Sequence, residues 1–85
     1  MVTKNITIKI PTGLEARPVA LLVQVASRYE SSIFIECENK KVNAKSIMGM
    51  MSLGIAAGEE VTVTANGPDE AEAMENIEKY LTSNE

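Results

Sequence analysis

The sequence predicts an α+β domain in which three helices cover one face of a four-stranded antiparallel sheet, in the order βαββαβα. The spacing of apolar residues switches repeatedly between two, which is typical of strands, and about 3.6, which is typical of amphipathic helices. Each predicted strand has one apolar and one polar face, as in a sheet that meets helices on one side and water on the other. A chain of 85 residues is expected to form a single domain.

The first strand and the first helix lie in the N-terminal third. Ile6, Ile8 and Ile10 alternate with polar residues, so a strand is predicted over residues 5–10. A helix is predicted from residue 16 to about residue 28, with Pro18 in its first turn, where no amide partner is needed. The residues expected on its apolar face are Val19, Leu21, Leu22, Val23, Val25 and Ala26.

The middle of the chain predicts a hairpin and a short helix. Residues 32–37 alternate, and a turn near Asn39 leads into a short strand over residues 41–44. If Ile33, Ile35 and Cys37 face inward, Phe34 is exposed, and the sequence leaves this register open. A second helix is predicted over residues 46–53, ending near the glycines at 54 and 58.

The C-terminal third predicts a strand over residues 60–65, a turn at 66–68 and a third helix. Asp69 precedes this helix and is expected to cap its first amides. The helix has an acidic outer face and an apolar inner face. The inner face consists of Ala73, Met74, Ile77, Tyr80 and Leu81.

Composition excludes several classes of function. The chain has no histidine, which excludes histidine-based metal sites and triads, and its glycines match no nucleotide-binding loop, so no cofactor and no enzymatic activity are expected. Charge is divided, with seven basic and four acidic residues in 1–58 and one basic and eight acidic residues in 59–85. With few aromatic residues, this pattern argues against direct nucleic-acid binding.

The expected location is the cytoplasm, without membrane attachment. No apolar run approaches the ~18 residues of a membrane span, and the N-terminus lacks the apolar centre of a secretory signal. Cys37 is the single cysteine, so no disulfide is expected within the chain. With no histidine to activate it, Cys37 is interpreted as a small buried apolar group.

Two helix starts are candidate sites. At the first helix, free amides and Arg17 favour an anion, and Glu15 supplies one within the chain. The simpler interpretation is that Glu15 only stabilises the helix. At the second helix, Ser46 occupies the N-cap position, where a phosphate near Lys45 and Lys41 would be tolerated or favourable.

The second helix also carries more apolar surface than a short helix can bury. Met50 is expected to pack in the core together with Leu53. Ile47, Met48 and Met51 lie about 100° or more away on the helix and are predicted to be exposed, as a docking patch for a partner.

Three segments resemble the HPr family, the small phosphocarriers of the bacterial sugar phosphotransferase system. They are GLEARP at 13–18, KVNAKSIMG at 41–49 and MMSLGIAAG at 50–58. The resemblance implies an open-faced β-sandwich, with a histidine at the position of Glu15 that takes phosphate from enzyme I. Because that histidine is absent, carrier activity is expected to be absent, and Thr12 and Gly13 would only shape the former active-site loop.

Because it has Ser46 but no histidine, the chain resembles the Crh-like, histidine-less branch of the family, the catabolite repression HPr. That resemblance implies phosphorylation of Ser46 by HPr kinase/phosphorylase and binding of the product to a LacI-type catabolite control repressor. Ile47, Met48 and Met51 would form the docking surface. Arg17 and Lys45 would also contact partners.

Other interpretations remain open at this stage. The chain also resembles an ordinary Gram-positive HPr, either a paralogue or one with histidine replaced by glutamate. Glu15 could then be inactive, imitate phosphohistidine, or form an acyl phosphate with enzyme I or other phosphotransferase components.

Overall fold

A computed structural model describes residues 1–11 and 13–83. It shows one four-stranded antiparallel sheet with the strand order β1-β4-β2-β3, which confirms the predicted fold class and element order. Within the described part of the chain, no helix combines the length and apolar character that crossing a bilayer requires. The elements are β1 (Val2–Thr7), α1 (Ala16–Ser27), β2 (Ser32–Cys37), β3 (Lys40–Asn43), α2 (Ile47–Met51), β4 (Glu60–Asn66) and α3 (Glu70–Leu81).

The helix-covered face of the sheet forms the core. Strand β4 pairs on one side with β1 and on the other with β2, and Ile35 lies opposite Val63. Ile33 and Ile35 have no exposed surface, which resolves the register of β2. Phe34 is therefore on the opposite face, where the Lys41 ammonium lies 5.2 Å from the ring centroid. Cys37, expected to be buried, is half-buried at the end of the strand.

Three strands differ from the prediction in their boundaries, and for β4 the difference is one added residue, Asn66, which was predicted to lie in the turn. Strand β1 runs from Val2 to Thr7 rather than over 5–10, because polar residues continue the pairing with β4 and give no apolar signal. Ile8 and Ile10 are nevertheless buried beyond the strand, and the Ile8 amide donates to the Glu59 carbonyl at 2.8 Å. Strand β3 lies one residue earlier than predicted, and the Ala44 amide donates instead to the Ile33 carbonyl.

Two of the predicted helices are shorter in the structure. Helix α1 ends at Ser27, and helix α2 spans five residues because Ser46 precedes it as the N-cap and Ser52 follows it as the C-cap. The apolar face of α1 was predicted to include Leu21, which is wrong because 45% of its surface is exposed. Leu21 lies one turn after Arg17 and shares its outward face.

The expected role of Asp69 is also wrong. Asp69 occupies the N-cap position of α3, but its side chain caps no amide of that helix. Its carboxylate instead accepts hydrogen bonds from the Glu30 amide at 2.9 Å and from the Ser31 amide at 3.0 Å. The Ser31 hydroxyl donates a third bond to the same group. The Asp69 carboxylate therefore binds the loop between α1 and β2 instead of capping α3.

Candidate functional site

The chain segment before α1 is held against the loop that follows α2. The Leu14 amide donates to the Ile55 carbonyl at 2.8 Å. Gly13 has a φ of 70°, and a Cβ there would lie 2.7 Å from the same carbonyl oxygen, so only glycine fits. These contacts fix the backbone directly before Glu15. Thr12, expected to shape this loop, lies outside the described residues.

Glu15 is exposed at the N-cap position of α1. Its backbone is extended, and its carbonyl accepts a hydrogen bond from the Val19 amide at 2.9 Å. Its side chain makes no capping hydrogen bond, so any stabilisation of the helix by this carboxylate is through its charge. A negative charge is thus presented at the surface where the helix begins.

Glu15 and Arg17 lie together on the wall of a cavity of about 710 Å³. The Tyr80 hydroxyl donates to the Pro18 carbonyl at 2.9 Å, which joins the end of α3 to the start of α1. Burial raises the pKa of Tyr80, so its hydroxyl remains a neutral donor. The cavity is lined by one carboxylate and one guanidinium group, and its remaining lining residues are Ile10, Ala16, Pro18, Leu21, Tyr80 and Ser83.

Sequence reasoning missed Leu21 and Tyr80 as parts of this site. The sequence predicts both on the apolar, core-facing sides of their helices. For Leu21 a signal existed, since it follows Arg17 by four residues and must lie on the same side of α1. For Tyr80 no local signal was available, because its contact with Pro18 joins positions 62 residues apart.

Ser46 is the N-cap of α2, as predicted. Its hydroxyl oxygen accepts the Gly49 amide at 3.1 Å, and its carbonyl accepts the Met50 amide at 3.0 Å. Glycine at 49 leaves room here, because a Cβ would lie 3.3 Å from the Ser46 hydroxyl oxygen. Ser46 is half-buried, so its hydroxyl is positioned by the turn and still partly reachable from solvent.

The two lysines expected near Ser46 are engaged elsewhere. The Lys45 ammonium donates to the Tyr29 carbonyl at 2.7 Å, just beyond the end of α1, while its own amide donates to the Asn43 side chain at 2.8 Å. The Lys41 ammonium lies over Phe34. Lys45 therefore ties the turn that carries Ser46 to the end of the first helix.

The apolar surface of α2 is divided as the sequence predicted. Met50 is fully buried, whereas Ile47 is 52%, Met48 is 85% and Met51 is 45% exposed. These three exposed side chains are called the α2 patch below. Ile47 directly follows the half-buried Ser46 in the chain, so the patch begins at the residue next to the N-cap. Glu15 and Arg17 thus share a cavity at the start of α1, and Ser46 precedes the α2 patch in the chain.

The described residues offer no metal site or activated nucleophile. Among residues 1–11 and 13–83, no group of three or more aspartate, glutamate, cysteine or histidine side chains could hold a metal ion. The Cys37 thiol donates to the Glu59 carboxylate at 3.6 Å. Burial, together with this carboxylate, raises the pKa of Cys37 and keeps it in the less reactive thiol form.

The chain is similar in sequence to known proteins over nearly its whole length. The family model described as "PTS HPr component phosphorylation site" matches residues 2–83. The HPr-like protein Crh of Bacillus subtilis (strain 168) is 52% identical over 81 residues, covering 95% of each chain. The HPr-like protein Crh of Halalkalibacterium halodurans is 54% identical over 81 residues, covering 95% of this chain and 96% of the relative.

The fold is also similar to that of a solved structure. The phosphocarrier protein HPr from Bacillus anthracis superposes with a TM-score of 0.92 at 49% identity, covering 94% of this chain and 95% of the other. Sequence identity of this size over a shared fold identifies common ancestry rather than a convergent arrangement of elements. The chain belongs to the HPr family.

Proposed function

We propose that this protein is an HPr-family regulator without phosphohistidine carrier activity. In this proposal, HPr kinase/phosphorylase phosphorylates Ser46, and the product acts in carbon catabolite repression as corepressor of a LacI-type catabolite control protein. The observation that carries the proposal is a positioned hydroxyl beside an exposed apolar patch, in a chain whose residue 15 has no nucleophilic nitrogen. Similarity to two HPr-like proteins named Crh supports the regulatory assignment.

The chemistry at Ser46 would be supplied by the kinase rather than by this chain. A bond forms between the serine oxygen and the γ-phosphorus of ATP, the bond to the bridging oxygen breaks, and ADP leaves. The hydroxyl proton passes to a base of the kinase. The amide of Gly49, which now donates to the hydroxyl oxygen, can donate to a phosphate at the same helix end. Phosphorylation would therefore change the surface charge and leave the fold intact.

The α2 patch would supply the apolar part of the partner interface. Ile47, Met48 and Met51 form an exposed apolar group next to the phosphorylated residue, so one partner surface could contact both. Methionine side chains adapt their shape to different partners, which suits a protein that meets both a kinase and a repressor. Arg17 and Lys45 would add positive charge at the edges of this interface.

Phosphorylation can be tested with ATP and HPr kinase/phosphorylase, followed by mapping of the phosphate by mass spectrometry. We expect one phosphate, on Ser46, and none on the Ser46→Ala variant. Ser52, an exposed serine at the other end of α2, is the matched control, because Ser52→Ala should leave incorporation unchanged. Failure to modify Ser46 under conditions that modify a histidine-bearing HPr would refute the proposal.

The corepressor role needs a separate binding test. The phosphorylated protein should bind the LacI-type repressor, and the unphosphorylated protein should bind at least about tenfold more weakly, which corresponds to ~1.4 kcal/mol. Met48→Ala should weaken the phosphorylated complex. Equal binding of both forms would contradict phosphorylation as the control of partner choice.

A second candidate is imitation of phosphohistidine by Glu15. It is favoured by the exposure of Glu15, whose side chain caps no amide and shares a cavity with Arg17. The protein would then bind phosphotransferase components without turnover. Glu15→Gln should abolish that binding, since the amide keeps the shape and removes the charge. If Glu15→Gln and the unmodified protein bind equally, imitation is excluded.

The carrier alternative predicts an acyl phosphate on Glu15. Phosphoenolpyruvate and enzyme I should then transfer phosphate to Glu15, and hydroxylamine should release it. We expect no such adduct, because a carboxylate repels the incoming phosphoryl group. A histidine-bearing HPr is the positive control, and detection of a hydroxylamine-labile adduct on Glu15 would restore the carrier assignment.

A further inference from the structure

We propose that Met48 and Met51 are a reversible oxidation site, at which hydrogen peroxide or hypochlorous acid converts the α2 patch from an apolar to a polar surface. The consequence for partner binding rests on the proposed function of that patch. The prediction of which methionines are oxidised does not depend on that function, because it follows from side-chain exposure.

The structure separates the methionines into two classes. Met48 is 85%, Met1 is 79% and Met51 is 45% exposed, whereas Met50 has no exposed surface and Met74 is 5% exposed. Thioether oxidation requires contact between the sulfur and the oxidant, so its rate follows exposure. Positions 48–51 of α2 thus contain two exposed sulfurs and one buried sulfur. The buried sulfur lies in the core that holds α2 in place.

The chemical step is a balanced two-electron oxidation. The methionine sulfur attacks one peroxide oxygen, the oxygen–oxygen bond breaks, and the sulfur becomes a sulfoxide while the peroxide is reduced to water. With hypochlorous acid, the product besides the sulfoxide is hydrochloric acid. A methionine sulfoxide reductase can reverse the change, with one enzyme class for each sulfoxide epimer. Two thiols supply the electrons and become a disulfide, and the sulfoxide oxygen leaves as water.

The effect on the surface is large because two of three patch residues are methionines. A sulfoxide is polar and accepts hydrogen bonds, so it disfavours burial against an apolar partner surface. Ile47 alone would remain apolar. The fold should survive, since Met50 and Met74 are shielded and the hydrogen bond from Gly49 to Ser46 involves no sulfur.

Cys37 is the competing target for oxidants, and its environment disfavours reaction. It is half-buried and donates to the Glu59 carboxylate. Burial and this carboxylate raise the pKa of Cys37, so little of the reactive thiolate is present near neutral pH. The Cys37→Ser variant removes the thiol and allows the methionine reactions to be followed alone.

The first experiment maps oxidation on the protein without any partner. The chain is treated with hydrogen peroxide, quenched at intervals and analysed by peptide mass spectrometry. Met48 and Met51 should be oxidised before Met50 and Met74 react measurably, with an unchanged circular dichroism spectrum. Oxidation of Met50 or Met74 at the same rate as Met48 would overturn the proposed site.

The second experiment measures partner binding with the phosphorylated protein before and after oxidation. Oxidation should weaken repressor binding by at least about tenfold, as expected when two central apolar contacts are lost. Treatment with methionine sulfoxide reductases should restore binding. Undiminished binding by protein carrying both sulfoxides would overturn the regulatory consequence.

Matched variants identify which sulfurs are responsible. The double variant Met48→Leu and Met51→Leu keeps an apolar patch without sulfur, so its binding should resist oxidant. Met1 is 79% exposed, and its amino group pairs with Glu70 at 3.0 Å, at the start of α3. Its oxidation in the double variant should leave binding unchanged. Loss of binding when the double variant is oxidised would show that Met48 and Met51 are not the sulfurs responsible.

The two proposals fail in different ways. If unoxidised, phosphorylated protein does not bind the repressor, the proposed function is wrong. The polarity of the patch is then followed by retention on a phenyl column. Retention should fall further on oxidation in the unmodified chain than in the double leucine variant, where Met1 is the exposed methionine that remains. Equal retention of oxidised and unoxidised chain would overturn the change in surface polarity.

Discussion

The carboxylate of Asp69 accepts three hydrogen bonds from the loop between α1 and β2, and the Ser31 hydroxyl donates one of them. The start of α3 and the end of α1 are thereby joined across 38 positions of the chain. Ser31 is completely buried, and no buried side-chain donor or acceptor among the described residues lacks a partner. The contact between Asp69 and Ser31 adds to the hydrogen bond from Tyr80 to Pro18, which also joins α3 to α1.

Loss of this carboxylate should lower stability in a pH-dependent manner. The hydrogen bond from Ser31, with the backbone bonds from Glu30 and Ser31, lowers the pKa of Asp69 in the folded state. Its contribution to stability is therefore present above the unfolded pKa, about 3.9, and is lost as pH falls through the lower folded pKa. Asp69→Asn should lower the Tm near pH 7, and the difference from the unmodified protein should shrink in acid.

Thermal unfolding followed by circular dichroism between pH 2 and pH 8 measures this effect. Glu72→Gln is the control, because Glu72 is an exposed acid in the first turn of the same helix. It should change the Tm little. An Asp69→Asn deficit that stays constant across the acid range would contradict the argument.

The N-cap at Ser46 should contribute measurably to stability before any phosphorylation. Ser46→Ala removes the acceptor for the Gly49 amide and should lower the free energy of unfolding by ~0.5–2 kcal/mol. Ser46→Asp should retain most of that free energy, since aspartate caps helices about as well as serine. Urea unfolding compares the three proteins. Equal stability of the alanine variant would show that the hydroxyl does not cap α2.

Neighbouring methionines of α2 should differ in their effect on stability. Met50→Ala removes a fully buried side chain and should lower the free energy of unfolding by ~2–5 kcal/mol. Met48→Ala, at 85% exposure, should change it by no more than ~0.5 kcal/mol. The same urea measurement gives both values. A large loss in Met48→Ala would indicate that the α2 patch is packed rather than available to partners.

Two glycines of similar backbone conformation should respond differently to alanine. Gly13 and Gly54 have φ values of 70° and 58°. A Cβ at Gly13 would lie 2.7 Å from the Ile55 carbonyl oxygen, whereas at Gly54 it would meet nothing within 4 Å. Gly54→Ala should show only the backbone penalty, ~1–2 kcal/mol. Gly13→Ala should lose more than that, and equal losses in urea unfolding would contradict the close approach.

The order of elements and most of the core could be predicted from sequence because they depend on local periodicity. Each strand or helix has its own spacing of apolar residues along the sequence, whatever it packs against. The same reasoning predicted Ser46 as an N-cap and the exposure of Met48, since both follow from position within a short helix. The absence of histidine at position 15 was visible without any structure.

Tertiary structure alone decided how distant segments share their polar groups. Asp69 lies at the N-cap position of α3, yet its carboxylate bonds to Ser31, and the Lys45 ammonium donates to the Tyr29 carbonyl. Whether a carboxylate or an ammonium group takes a local or a distant partner depends on which loops the fold brings together. The periodicity of apolar residues predicts the buried face of each element, but it contains no information about which distant loops come into contact.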